Sequence, residues 1–377
     1  MTERLAVVTG TAVVVALALA IPAAGAEVNF SGSAYVDYWF INSAMAKKDS
    51  MAGLTPEAAV KMEVDVHENL SFSARVCFSC HGLEVDRAHV DFTPTPAFNI
   101  QAGRIGVPFG EMSVRYDPTS HRSVSKPLIY DMGRMPYYGK SAFNLGVVPQ
   151  PYVDTGVVVY GQVWPSDTVQ LWYAGYLVGG MRGSNDFDFT AMRTSYYLDN
   201  NNEPAGGGRV VLTVSASDPE SPFKDFSFGL SGMYGHYDPD RLRAYTALGV
   251  DAALRVGPVT LRGEAAFVRI EIDPNPALYR FQLIDTYFDK GGFFVELEHP
   301  IGSRLIALYR FDTLARKGIP MPNSETSLTE DSQILRGTGA LQILLSSSMY
   351  LKGSYEYTWL SDFPVVHSLH FGVGGSF

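Results

Sequence analysis

The stretch 349-MYLKGSYEYTW-359 puts Met349, Leu351, Gly353, Tyr355, Tyr357 and Trp359 on one side of an extended chain. Lys352, Ser354, Glu356 and Thr358 fall on the other. Successive side chains of a strand point to opposite faces, so this alternation predicts a β-strand with one apolar and one polar face. The stretch 58-AAVKMEVDVHENLSFSARVCFS-79 repeats the pattern twice. In it Val60, Met62, Val64 and Val66 oppose Lys61, Glu63, Asp65 and His67. Leu70, Phe72, Ala74, Val76 and Phe78 then oppose Ser71, Ser73, Arg75 and Cys77.

Sixteen such segments can be read between 30–42 and 365–377. Short connections (HENL, WPSD, VGP, HPIGS) alternate with long ones, the longest spanning 108–151. Short turns on one side and long loops on the other predict an all-β fold, a transmembrane antiparallel β-barrel of about 16 strands in an outer membrane. A soluble β-sandwich of two-sided strands is the competing reading, and it explains the unequal connections less well. Lipid offers no partner to an unpaired N–H or C=O, so a spanning sheet must close on itself.

Composition agrees. The chain has 36 Gly, 21 Tyr and 22 Phe, with 18% charged residues. A net charge of −10 argues against nucleic acid as a partner. Residues 1–26 read as a signal peptide: Arg4 precedes the apolar run 5–21, and Ala24-Gly25-Ala26 is a small-residue cleavage site. The barrel is then expected over 27–377, exported through the periplasm to the bacterial outer membrane. After residue 26 no apolar run reaches the 18 residues a spanning helix requires.

The ending VVHSLHFGVGGSF, closing on Phe377, resembles the last strand of Gram-negative outer-membrane porins, in which a terminal aromatic residue acts as an insertion signal. FNIQAGRIGVPFGEM (98–112) resembles the porin segment leading into the third extracellular loop. The resemblance covers the mature chain as an architecture. It implies a channel for small hydrophilic solutes, outer-membrane lipid around it, and assembly as a homotrimer. It also implies that 108–151 folds into the lumen, with Arg115, Asp117, Arg122, Lys126, Asp131, Arg134 and Lys140 as pore-constriction candidates. Five of these seven are basic, so a local preference for anions is expected despite the acidic whole. Lys61, Glu63, Asp65, Arg75, Arg262, Glu264, Arg310, Lys352 and Glu356 have lumen-facing phase, and their mixed signs predict no strong field of one sign.

The only two cysteines lie in RVCFSCHG, where Cys77, Cys80 and His81 form C-x-x-C-H. This is the pattern of covalent haem c attachment, with His81 as the metal ligand to the haem iron. A Cys77–Cys80 disulfide is the alternative, since the exported chain meets an oxidising compartment. His89, Met112, His121, Met132 and Met135 are candidates for a sixth iron ligand, and no spacing selects among them. The motif is similar to that of the fused cytochrome–porins, whose single haem serves electron transfer with extracellular donors. It departs in placement, because two apparent strands precede it here. That resemblance implies a second function, an electron conduit working with periplasmic or extracellular cytochromes. A hydrolytic enzyme is not expected, since Ser, His and Asp occur in no nucleophile motif.

Overall fold

The computed structural model describes residues 26–42, 54–79, 82–115, 117–130, 146–149, 152–182, 199–272, 281–282, 286–317, 319–320, 331–361 and 363–377. The strands in chain order are β1 (Glu27–Asn42), β2 (Leu54–His67), β3 (Leu70–Ser79), β4 (Gly82–Thr95), β5 (Phe98–Gly106), β6 (Val153–Ser166), β7 (Val169–Val178), β8 (Ala205–Ser215) and β9 (Phe223–His236). They continue with β10 (Ala244–Val256), β11 (Val259–Glu271), β12 (Phe281–Gln282), β13 (Tyr287–Ile301), β14 (Leu305–Lys317), β15 (Ile319–Pro320), β16 (Asp331–Leu344), β17 (Met349–Leu360) and β18 (Phe363–Ser376). The two-residue β12 and β15 pair only with each other. The other sixteen form one closed antiparallel barrel, as the alternation predicts.

The seam closes between β1 and β18, in register from Ser33 opposite Ser376 to Asn42 opposite His367. The last residue takes part: the Gly32 N–H donates to the Phe377 carbonyl at 3.1 Å, and the Phe377 N–H donates back at 3.0 Å. No barrel strand is left with an open edge, which lipid requires.

The packing is inverted relative to a soluble sandwich. On β17 the apolar residues Met349, Leu351, Tyr355, Tyr357 and Trp359 are the exposed ones. Lys352, Ser354, Glu356 and Thr358, on the opposite face, are buried. A sandwich would hide the apolar face and wet the polar one, so this distribution decides for the barrel.

Connections at 68–69, 96–97, 167–168, 257–258 and 302–304 lie at one end, with the start of β1 and the end of β18. The opposite end carries 43–53, 107–152, 179–204, 272–286 and 318–330. Cys80 and His81 fall in the chain between β3 and β4, whose paired ends Ser79 and Gly82 lie at this long-loop end. The expected signal peptide, residues 1–26, falls outside the described residues apart from Ala26.

Candidate functional site

Residues 107–115, 117–130 and 146–149, which lie in the chain between β5 and β6, cross the lumen. Sequence length alone marked this segment; the structure shows what seats it. Val107, Phe109, Met112, Leu128, Ile129, Tyr130, Val147 and Val148 are fully buried inside the barrel. They belong to one apolar cluster with lumen-facing Val158, Tyr176, Met233, Tyr245, Val268, Phe288, Phe294 and Ile334. This inner core went unread in the sequence. A signal was present: on β11 the lumen-phase positions pass from Arg262 and Glu264 to Ala266, Val268 and Ile270, so the inner face turns apolar where it must be covered.

Glycine permits the close approach in two places. Gly110 sits at φ +70°, and a Cβ there would collide with Glu264 and Tyr130. A Cβ at Gly249 on β10 would come within 3.0 Å of the Phe109 ring.

A ladder of polar ties follows. The Gly110 N–H donates to Ser231 Oγ at 3.0 Å, and the Met112 N–H to Glu264 Oε2 at 3.2 Å. The Tyr130 hydroxyl donates to Glu264. Burial, followed by the adjacent Glu264 charge, pushes that phenol well above its usual pKa. The Leu128 N–H donates to Asp312 Oδ1 at 2.9 Å, and the Val124 N–H to Ser354 Oγ at 2.9 Å. Arg310 on β14 donates to Ser123 Oγ (2.7 Å), Ser125 Oγ (2.8 Å), Ser125 O (3.2 Å) and Lys126 O (3.3 Å). Arg336 reaches the Lys126 carbonyl as well. The Lys352 ammonium donates to the Pro118, His121 and Ser123 carbonyls and lies 4.9 Å from the Tyr350 ring centre.

Four of the expected constriction residues take part in structural ties. Arg115, on the one-turn helix Met112–Arg115, pairs with Glu111 (3.0 Å), Glu296 (3.1 Å) and Glu298 (3.3 Å). Burial alone would lower its pKa, but these three carboxylates raise it. Arg122 donates to Gln342 Oε1 at 3.2 Å and lies 3.5 Å from Glu298. Asp117 reaches the far wall, accepting from Arg75 of β3 at 2.5 Å. Lys126 contributes its backbone carbonyl to the clamp. Glu111, Asp117, Arg122 and Lys126 keep partial solvent exposure on the lumen side. Asp131, Arg134 and Lys140 lie outside the described residues.

All nine expected lumen-facing charges take that phase in the closed register. Cys77 shares it, opposite Ala59 of β2 and Glu84 of β4. Cys80 and His81 are outside the described residues, as are Met132 and Met135. Among the other iron-ligand candidates, Met112 is buried in the apolar cluster between loop and wall. His121 is buried with its Nδ1 2.9 Å from Ser123 O, and His89 faces the lumen from β4 opposite Ser73.

Solved structures with this architecture are numerous. The barrel aligns with Salmonella typhi OmpF in complex with daunomycin at TM-score 0.58 and 11% identity, over 95% of this chain and 99% of that one. It has the fold of the outer-membrane porins. The outer membrane channel DcaP of Acinetobacter baumannii aligns at TM-score 0.55 and 11% identity, over 94% and 98% of the two chains. A loop-deletion mutant of OmpT, an outer membrane protein of Vibrio cholerae, gives TM-score 0.56 and 11% identity over 93% and 99%. No family signature matches the chain, and no curated protein matches it in sequence.

Proposed function

We propose that the protein is a porin-like channel that lets small hydrophilic solutes cross an outer membrane passively. One observation carries this reading: a closed sixteen-strand barrel, apolar outside and polar within, crossed by an inward segment clamped to its wall. About sixteen strands enclose an aqueous bore, and the clamped segment narrows it instead of filling it with a mobile plug. The residual passage runs between the wall and the partly exposed Glu111, Asp117, Arg122 and Lys126. Asp131 and Arg134 belong to the same proposed constriction. On this reading the long loops face outwards, and the porin likeness favours a homotrimer. Planar-bilayer recording of the purified protein tests the proposal. Discrete conductance steps in potassium chloride are expected, and a protein that folds and inserts but leaves the bilayer silent overturns it.

A second reading keeps haem c at Cys77, Cys80 and His81. The observation favouring it is that Cys77 faces the lumen close to the long-loop end, on the hairpin that carries the motif. A bound haem would supply one-electron chemistry there, and cytochromes would be its partners. Cys77 and Cys80 would hold the porphyrin, and His81 would ligate the iron. Intact mass with a pyridine haemochrome spectrum, after expression in a host that attaches haem c, decides. A mass lower by two hydrogens with no haem band gives the disulfide and leaves the plain channel.

A further inference from the structure

The charged clamp ties the loop to β13, β14, β16 and β17, whereas the short-turn mouth beside β4 to β7 is built from different chemistry. A groove of about 530 Å3 opens there between the β4–β5 turn and the lumen-facing ends of β5, β6 and β7. Tyr160, Trp172, Gln162, Asn99, Thr93 and Thr95 give it its chemistry, and no lining side chain is charged. Its size falls within the roughly 300–1,000 Å3 of ordinary small-molecule sites.

The two rings are held in place. Tyr160 and Trp172 both pack against the apolar core inside the barrel. Trp172 stands beside Gln162 in register across β6 and β7. Each ring thus presents a fixed apolar surface at the edge of water.

The polar groups around the rings have capacity to spare. The Tyr160 hydroxyl donates to both Asp91 oxygens, at 2.9 and 3.0 Å, and Gln101 Nε2 donates to Asp91 Oδ2 at 3.3 Å. The Tyr160 hydroxyl is thereby anchored on a carboxylate that does not itself line the groove. Gln170 Nε2 donates to Gln162 Oε1 at 2.7 Å, which turns the two amides into a pair with donors and an acceptor left over.

We infer that this groove binds neutral polyhydroxylated solutes, mono- or disaccharides, on their way through the lumen. An indole ring matches the apolar C–H face of a pyranose, and the amides of Gln162 and Asn99 with the threonine hydroxyls match its hydroxyls. A charged solute finds no counter-ion among the groove's lining side chains, and a purely apolar one leaves the amides unsatisfied. The inference deepens the channel reading and rests on it for the route, though not for the binding itself.

Two measurements test it. In planar bilayers, glucose and maltose added at millimolar concentration are expected to reduce the ionic current in a saturable way. Trp172→Ala should raise the half-blocking concentration at least tenfold, with the salt conductance kept within about twofold, and Trp172→Phe should keep most of the block. Tryptophan emission of the detergent-solubilised protein should shift with maltose, and the shift should vanish in Trp172→Phe. A conducting channel whose current falls only as solution viscosity rises overturns the sugar site and leaves the channel standing. A silent protein that still shows the Trp172-dependent maltose shift overturns the channel and keeps the site. Block by glycine or an aromatic amino acid equal to that by glucose overturns the assignment of ligand class.

Discussion

Replacing Arg310 by Met keeps the length and apolar stem of the side chain and removes the centre of the clamp. Arg310 makes four hydrogen bonds to residues 123–126 and one to Asp312 at 2.9 Å, and it lies 3.5 Å from Glu296. Hydrogen bonds to a charged group contribute about 1.5–3 kcal/mol each, so the four loop bonds amount to about 6–12 kcal/mol gross. The cost of burying the guanidinium offsets several kcal/mol of that. The net loss for breaking a buried, paired charge is about 3–5 kcal/mol. It should fall on the loop and leave the barrel standing, because the sixteen ladders do not involve Arg310's side chain. A loss of 3–5 kcal/mol changes a population about 150- to 5,000-fold, at about 1.4 kcal/mol per factor of ten. Loop release should appear as faster proteolytic cleavage within 117–130 and a larger, noisier single-channel conductance. The barrel should still resist unfolding as the parent does. If cleavage rate and conductance both match the parent, the clamp does not hold the loop and the reasoning fails.

Three further outcomes are expected. Burial, then Lys352 and Lys126, holds the His121 imidazole well below its usual pKa, so it is neutral when the loop is seated. Once released it would protonate near pH 6.5. Seating is thus fully favourable above about pH 6.5 and weakens by up to about 1.4 kcal/mol per unit below it; loop cleavage that is equally slow at pH 7 and pH 5 would contradict this. Asp117→Lys places a cation beside Arg75 at the lumen edge of the loop, and reversal potentials in a salt gradient should move towards anion preference. Leu369→Arg puts a charge on the lipid face of β18 and should cost about 2–4 kcal/mol near the bilayer midplane. Urea unfolding from liposomes measures it, and a cost no greater than that of Ser227→Arg in the lumen would argue against a membrane-facing exterior.

The barrel was legible because its lipid face is written residue by residue. Met349, Leu351, Tyr355, Tyr357 and Trp359 alternate along β17, and the barrel has the sixteen strands expected, the first and last within a few residues of 30–42 and 365–377. The paired β12 and β15 escaped notice because two residues carry no period. The loop was legible only as length. Its ties join Tyr130 to Glu264 and Ser125 to Arg310, 134 and 185 positions apart, and no local pattern encodes such partners. The sugar groove was hidden for a similar reason. Trp172 and Gln162 look like ordinary strand residues until register sets them side by side.

The clamp also bears on what selects a solute. Most of the strongest charges in the lumen are spent against each other: Arg310 and Arg336 on Asp312 and Glu356, and Arg115 and Arg262 on Glu296 and Glu298. Buried pairs cancel at short range and leave little field in the bore, so the net charge of −10 is a poor guide to ion preference. Among the described residues, the lumen charges that still meet water include Lys61, Glu63 and Asp65 on β2 and Glu111, Asp117, Arg122 and Lys126 on the loop, and they are of both signs. A passage with a weak field and an uncharged aromatic groove at its short-turn mouth favours neutral, hydroxyl-bearing solutes over ions. Both features follow from the same fact: the barrel uses its charges to hold the loop.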